Sequence, residues 1–281
     1  MLAVLGGLGA ALAWATGTLA AARASRLVGP RLVLAWVMLV GLVVVAPFTA
    51  VAGVPHGVGV GEAAWLIVSG LANIVGLLLV YRAMRIGKVS IVSPITSTEG
   101  AIAALLAVLQ GERLGAASAV LLAVIVLGVV LASRGEDPEA EGAHPLRASL
   151  YAGCAALSFG VGLFSTGHVS ASLPLAWAVL PPRLIGVVAV TLPLLARGRL
   201  RIEGPAMPYV LLSGLCEVAG FTSYAVGSRH GIAIAAVLAS QFAAFVAVGS
   251  FVLLHERLRP SQIAGIATIV VAVATLTALR A

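Results

Sequence analysis

Runs of about twenty apolar residues, separated by short segments of charge, glycine or proline, recur from one end of the chain to the other. At roughly 1.5 Å of rise per residue, such a run is what an α-helix needs to cross about 30 Å of hydrocarbon. The pattern predicts ten spans, over residues 2–21, 32–53, 63–81, 88–110, 115–133, 148–167, 174–196, 206–228, 231–254 and 260–280. A transmembrane β-barrel would instead show alternating segments of about ten residues, and that alternation is absent. The predicted fold class is all-α and integral to the membrane.

The longest polar stretch, Arg134 to Arg147, falls almost at mid-chain and carries Glu136, Asp137, Glu139 and Glu141 beside Gly and Pro. It reads as a solvated linker, residues 136–146, between a first unit of residues 1–135 and a second of 147–281. The units resemble each other. Ser69-Gly70-Leu71-Ala72-Asn73 with Gly76 matches Ser213-Gly214-Leu215-Cys216-Glu217 with Gly220 at an offset of 144 residues, and Glu112-Arg113-Leu114 matches Glu256-Arg257-Leu258 at the same offset. Ala10 to Trp14 parallels Ala155 to Phe159, shifted by one more residue. With five spans in each unit, the second must enter the membrane from the opposite side, which makes an inverted repeat of the kind found in secondary transporters.

Composition agrees with the pattern. Residues are 61% hydrophobic and only 10% charged, with a mean hydropathy of +1.13, whereas a soluble domain has about a quarter of its residues charged. The net charge of +7 suggests nucleic acid until the positions are examined: the Arg residues lie in short loops between apolar runs, so topology accounts for them and no nucleic-acid partner is expected. Cys154 and Cys216 fall inside predicted spans without CxxC spacing, so neither a disulfide framework nor a metal site is expected. The first twenty or so residues resemble a signal peptide, but no Lys or Arg precedes the apolar stretch, and they are taken as span 1. There is no HExxH, no GxSxG and no phosphate-cradling glycine loop, which argues against an enzyme, an ATP-driven pump or any cofactor.

Four stretches carry a resemblance that covers essentially the whole chain: Ala13-Trp14-Ala15, Tyr81-Arg82-Ala83-Met84 running into Gly87, Gly111-Glu112-Arg113-Leu114, and His255-Glu256-Arg257-Leu258 followed by Ser261-Gln262 and Gly265. By their order, spacing and duplication the chain resembles the drug/metabolite transporter superfamily, specifically its ten-helix EamA-type members. The resemblance implies transport of small organic solutes, often export of amino acids or other metabolites, and a central cavity between spans 2 to 4 and 7 to 9. Two features depart from the family's pattern. A basic residue common early in span 2 is replaced by Trp36 and Val37, while its second-unit counterpart is kept as Arg183, and a basic N-terminal tail is missing.

Polar groups inside the spans are the candidate chemistry, because a charge at the bilayer centre costs about 2.5 to 3.5 kcal/mol on insertion scales and so faces a cavity or a partner. Glu99 in span 4, Glu217 in span 8 and Arg183 in span 7 are the charged ones, and Asn73 is the repeat partner of Glu217. Glu217, Arg183 and Asn73 are expected to line the cavity as substrate-binding groups, with Glu217 and Glu99 as carboxylates for ion or proton coupling. The bland reading of Glu217 and Arg183 is a fixed pair that ties helices together. Pro94, and the pair Pro181 and Pro182 beside Arg183, predict helix breaks that free backbone groups near mid-membrane. Ser97 corresponds to Gln241 of span 9 at the 144-residue offset, which proposes them as facing polar groups. Trp14 and Tyr224, the latter two turns after Glu217, complete the candidate substrate contacts, with packing as the alternative for each.

Thirteen Lys and Arg residues fall in the loops after spans 1, 3, 5, 7 and 9, and three on the other side, so the positive-inside rule puts both termini outside the cytoplasm. The family resemblance implies the reverse. The expectation for function is a secondary transporter, an exporter of small polar solutes such as amino acids, in a bacterial cytoplasmic membrane, acting as a monomer or homodimer. Its rivals are a multidrug exporter of hydrophobic cations, which Arg183 argues against, and a membrane scaffold that would not need carboxylates in mid-span.

Overall fold

The computed structural model describes residues 1–55, 58–86, 92, 95–132, 145–202, 204–254 and 260–279. Among them there is no strand. The helices are α1 (Leu2–Val28), α2 (Pro30–Ala52), α3 (Val60–Ile86), α4 (Glu99–Leu109), α5 (Ala116–Ala132), α6 (Pro145–Ser172), α7 (Leu175–Gly186), α8 (Leu192–Ala196), α9 (Met207–Ser228), α10 (Ile232–Ala239), α11 (Phe242–Leu254) and α12 (Pro260–Ala278). Among the described residues six segments are long and apolar enough to cross a membrane: Leu2–Val28, Pro30–Ala52, Val60–Ala83, Leu146–Ser172, Leu175–Ala196 and Gly204–Ser228. Four shorter apolar helices, Glu99–Leu109, Ala116–Leu131, Ile232–Val246 and Pro260–Leu276, accompany them. The predicted linker 136–146 lies almost entirely outside the described residues.

Local chemistry explains the boundaries. Gly29 takes φ 86° between α1 and α2, a left-handed conformation open to glycine, and Pro30 then starts α2 where its missing N–H costs nothing. α7 passes through Pro181 and Pro182 and continues to Gly186, so the predicted break at this pair does not occur. Both prolines are buried, and tertiary packing holds the helix together despite the two lost donors. The irregularity comes later, in a π-helical turn over Val187–Thr191, where the Thr191 hydroxyl donates to the Ala35 carbonyl of α2 at 2.8 Å. Pro94 lies outside the described residues.

Small residues let the helices approach closely. α1 lies along α9 and α3 along α6; a Cβ on Gly6 would sit 2.4 Å from the Gly227 Cα. Equivalent contacts recur between the two halves. Gly220 leaves room for the Trp14 ring and Gly76 for the Phe159 ring; Gly41 faces the Arg183 side chain and Gly186 faces that of Met38. α4 crosses α10 at the centre, Gly100 lying against Ala236 and Ser240.

Span 9 is interrupted, which the sequence did not suggest. α10 ends at Ala239, and α11 starts at Phe242 after a turn at Ser240 and Gln241. The same turn precedes α4 at Ser97 and Thr98. Thr98 N–H donates to Ile95 and Ile102 N–H to Thr98, each at 3.2 Å; Gln241 N–H donates to Leu238 at 3.3 Å and Phe245 N–H to Gln241 at 3.2 Å. The two turns superpose at an offset of 143, so Gln241 corresponds to Thr98 rather than to Ser97.

Candidate functional site

Each wall of the central cavity is one stripe of a helix. On α1 the stripe is Trp14, Gly17, Thr18, Ala21, Ala22 and Ser25, and on α2 it is Pro30, Val33, Leu34, Val37 and Met38; spacings of three and four place such residues on one helical face. Asn73, Leu77, Val80 and Tyr81 form the wall on α3, and Ser213, Glu217 and Phe221 that on α9. Glu99, Phe159 and Phe242 close the inner end. The enclosed volume is about 510 Å³, within the usual range for a small-molecule site. The walls are predominantly apolar and carry five aromatic side chains, and two carboxylates are the ionisable groups that stand out among them. No Lys or Arg lines this cavity among the described residues.

Arg183 is fully buried beside the cavity rather than in its wall. Its Nη2 donates to the Glu217 carboxylate at 3.3 Å and to the Glu217 carbonyl at 3.2 Å. The guanidinium carbon lies 4.7 Å from the centre of the Phe221 ring, and Nη1 meets the Met38 sulfur at 3.8 Å. Two opposite charges about 4 Å apart attract by about 4 kcal/mol at the effective dielectric of a partly buried site, and the ring face adds a cation–π contact. Phe221 also takes the edge of Trp14, with centroids 5.1 Å apart. Trp14, Phe221, Arg183 and Glu217 therefore form one continuous cluster.

The remaining predicted residues separate. Asn73 and Trp14 line the cavity, as do both Glu99 and Glu217. The Asn73 side-chain oxygen is buried and has no hydrogen-bond partner among the described residues. Tyr224 is fully buried, donates its hydroxyl to the Leu163 carbonyl at 2.8 Å and stays out of the cavity wall. Ser97 and Gln241 are buried at the two helix interruptions, also away from the wall. Sequence reasoning missed Met38, Tyr81, Phe159, Phe221 and Phe242. Phe221 was within reach, one turn after Glu217 on the same face, and Phe159 was visible as the repeat partner of Trp14.

At the end away from the α1–α2 corner the helices are held shut. Arg229 donates to the carbonyls of Ser170 and Leu173 at 2.6 and 2.8 Å, and the Glu112 carboxylate caps the start of α10 by accepting from Ile232 N–H at 3.0 Å and Ala233 N–H at 3.2 Å.

The geometry is that of an apolar-walled cavity among helices long enough to cross a membrane. The model of the EamA-like transporter family matches residues 1–134. The match bears out the resemblance to the drug/metabolite transporter superfamily, and with the apolar helices it supports a multi-pass membrane protein. Twenty-eight chains of solved structures match it. One crystal structure superposes on 99% of this chain and 97% of its own with a TM-score of 0.77 at 19% identity, a likeness of fold. No curated protein matches the chain in sequence.

Proposed function

We propose that this chain is a secondary transporter exporting small organic solutes that carry a cationic nitrogen on an apolar body, in exchange for protons. The observation that carries the reading is the cavity itself: apolar and aromatic walls, two carboxylates, and no basic side chain among the described lining residues. Aromatic faces and carboxylates attract a cation. An anionic solute would need the guanidinium of Arg183, which is committed to Glu217. The amino acids and hydrophobic cations that are rivals in the sequence share the cationic nitrogen, and the unpartnered Asn73 oxygen is an acceptor for one of its N–H groups.

In this reading the ten spans form two five-helix repeats of opposite orientation, residues 1–135 and 147–281. The equivalent contacts Gly220–Trp14 and Gly76–Phe159 support it, as does the shared interruption of spans 4 and 9. The cavity extends toward Ser25 and Pro30, the end that carries Arg23, Arg26, Arg31 and Arg82. By the positive-inside rule that end is cytoplasmic, so the cavity loads from the cytoplasm and export follows. The membrane is then the cytoplasmic membrane of a bacterium.

The test is flux of phenethylamine from proteoliposomes with and without a pH gradient, for the wild type and Glu99→Gln. Gradient-driven flux that the substitution abolishes is the expected result. Flux of simple carboxylic acids but not of the amine would overturn the cargo, and a C-terminal phosphatase fusion inactive in the periplasm would overturn the orientation.

A further inference from the structure

We propose that Arg183 is a built-in counterion that fixes Glu217 as a permanent carboxylate, leaving Glu99 as the single exchangeable anion of the cavity, which takes one proton or one cationic nitrogen at a time. The cargo rests on the transport reading above; the division of labour between the two carboxylates rests on geometry.

The charges are distributed unequally over matching positions. Gly41 faces Arg183 just as Gly186 faces Met38, so Arg183 and Met38 are counterparts at an offset of 145, and they touch each other at 3.8 Å. Glu217 has Asn73 as its counterpart at 144. One half thus carries a guanidinium and a carboxylate in contact, the other a thioether and an amide. Arg183 and Glu217 cancel, joined side chain to side chain and again through the Glu217 carbonyl. Glu99 has Phe242 as its counterpart at the interruption, and among the described residues nothing in the second half balances it. The cavity therefore holds one carboxylate in excess.

Among the described residues the surroundings of Glu99 supply no second cation. The neighbours of α4 include α5, α6 and α10. α5 and α10 contain no ionisable residue, and α6 meets α4 at Gly160, six residues or more from Arg147, Tyr151, Cys154 and His168. Among the described residues the other ionisable groups lining the cavity with Glu99 are Glu217 and Tyr81, and the Tyr224 hydroxyl is engaged with Leu163.

Dicyclohexylcarbodiimide, an apolar reagent that attacks protonated carboxyl groups, tests this without any transported solute. The purified full chain in detergent is treated at neutral pH, and modification is mapped by mass spectrometry of peptides. Access alone favours Glu217, whose side chain is 29% exposed, over Glu99, which is 6% exposed. The proposal expects the opposite: Glu99 modified faster by roughly tenfold or more, since a carboxylate held against a guanidinium keeps its charge and lacks the proton the reagent needs. Equal or preferential modification of Glu217 overturns it. Arg183→Met, which places in the second half the residue already present in the first, should bring Glu217 labelling up to that of Glu99, and continued protection of Glu217 in folded Arg183→Met overturns the role of Arg183. Should that variant not fold, Glu217→Gln takes its place: it leaves the Arg183 guanidinium to balance Glu99, so Glu99 labelling is expected to fall by roughly tenfold, and unchanged labelling overturns the charge balance between the two groups. Failure of amine flux with this labelling pattern intact removes the cargo and leaves the counterion.

Discussion

On one side of the cavity Met38 and Asn73 stand where Arg183 and Glu217 stand on the other. The scaffolds agree down to which glycine makes room for which side chain, Gly186 for Met38 and Gly41 for Arg183, yet one pair is neutral and the other is a buried ion pair. Helix packing constrains volume and close approach, and Met38 and Arg183 both satisfy it with long side chains unbranched at Cβ. It does not constrain charge. The two halves can therefore make matching contacts while the guanidinium and its carboxylate partner stand in one of them alone.

The comparison breaks most directly at Arg183. Truncation in Arg183→Ala leaves the Glu217 carboxylate without its partner and should cost about 3 to 5 kcal/mol, as removal of one member of a buried pair does; a large fall in the unfolding temperature of the detergent-solubilised protein is the readout. A loss below about 1 kcal/mol would class the pair with surface ion pairs. Asn73→Glu attempts the same charge in the half without a guanidinium, and should cost about 2.5 to 3.5 kcal/mol, the insertion penalty of an uncompensated charge, seen as a drop in folded yield. The glycine pair sharpens the other side of the comparison, the shared scaffold. A Cβ at Gly220 would lie 2.4 Å from the Trp14 ring and one at Gly76 2.6 Å from the Phe159 ring, so Gly220→Ala and Gly76→Ala should each destabilise by about 1 to 3 kcal/mol through overpacking. Similar unfolding shifts in the two variants are expected; a large shift in one alone would mean the scaffold is not shared. The smallest effect belongs to the closed end, where Glu112→Ala uncaps α10 at a cost of about 1 kcal/mol, read as faster labelling of a cysteine placed at Ser228.

Much of the site was legible because polar residues in apolar spans are conspicuous. Glu99, Glu217, Asn73 and Trp14 all line the cavity, and each was identifiable from the cost of its burial or from the repeat. Tyr224 was on the expected helix but three residues beyond the wall residue Phe221, and that rotation turns its hydroxyl to Leu163. The prolines misled at α7, where Pro181 and Pro182 suggested a break and burial kept the helix intact. Conversely, the apolar run of span 9 hid the interruption at Ser240 and Gln241, because nothing in Ala-Ser-Gln-Phe forbids a helix.

The sequence by itself determined the quantities that add residue by residue along the chain. Transfer of about twenty apolar side chains into hydrocarbon is a sum over neighbours in sequence, so the spans, the membrane setting and the duplicated motifs follow from order and composition alone. Tertiary structure decided which way each polar group faces and what neutralises it. That Arg183 stands behind Glu217 rather than in the cavity, and that Glu99 is left as the unbalanced charge, depends on contacts between residues 34 or more positions apart. Electrostatic energy falls with distance in space and not along the chain, so the partner of each charge was fixed only when the helices came together.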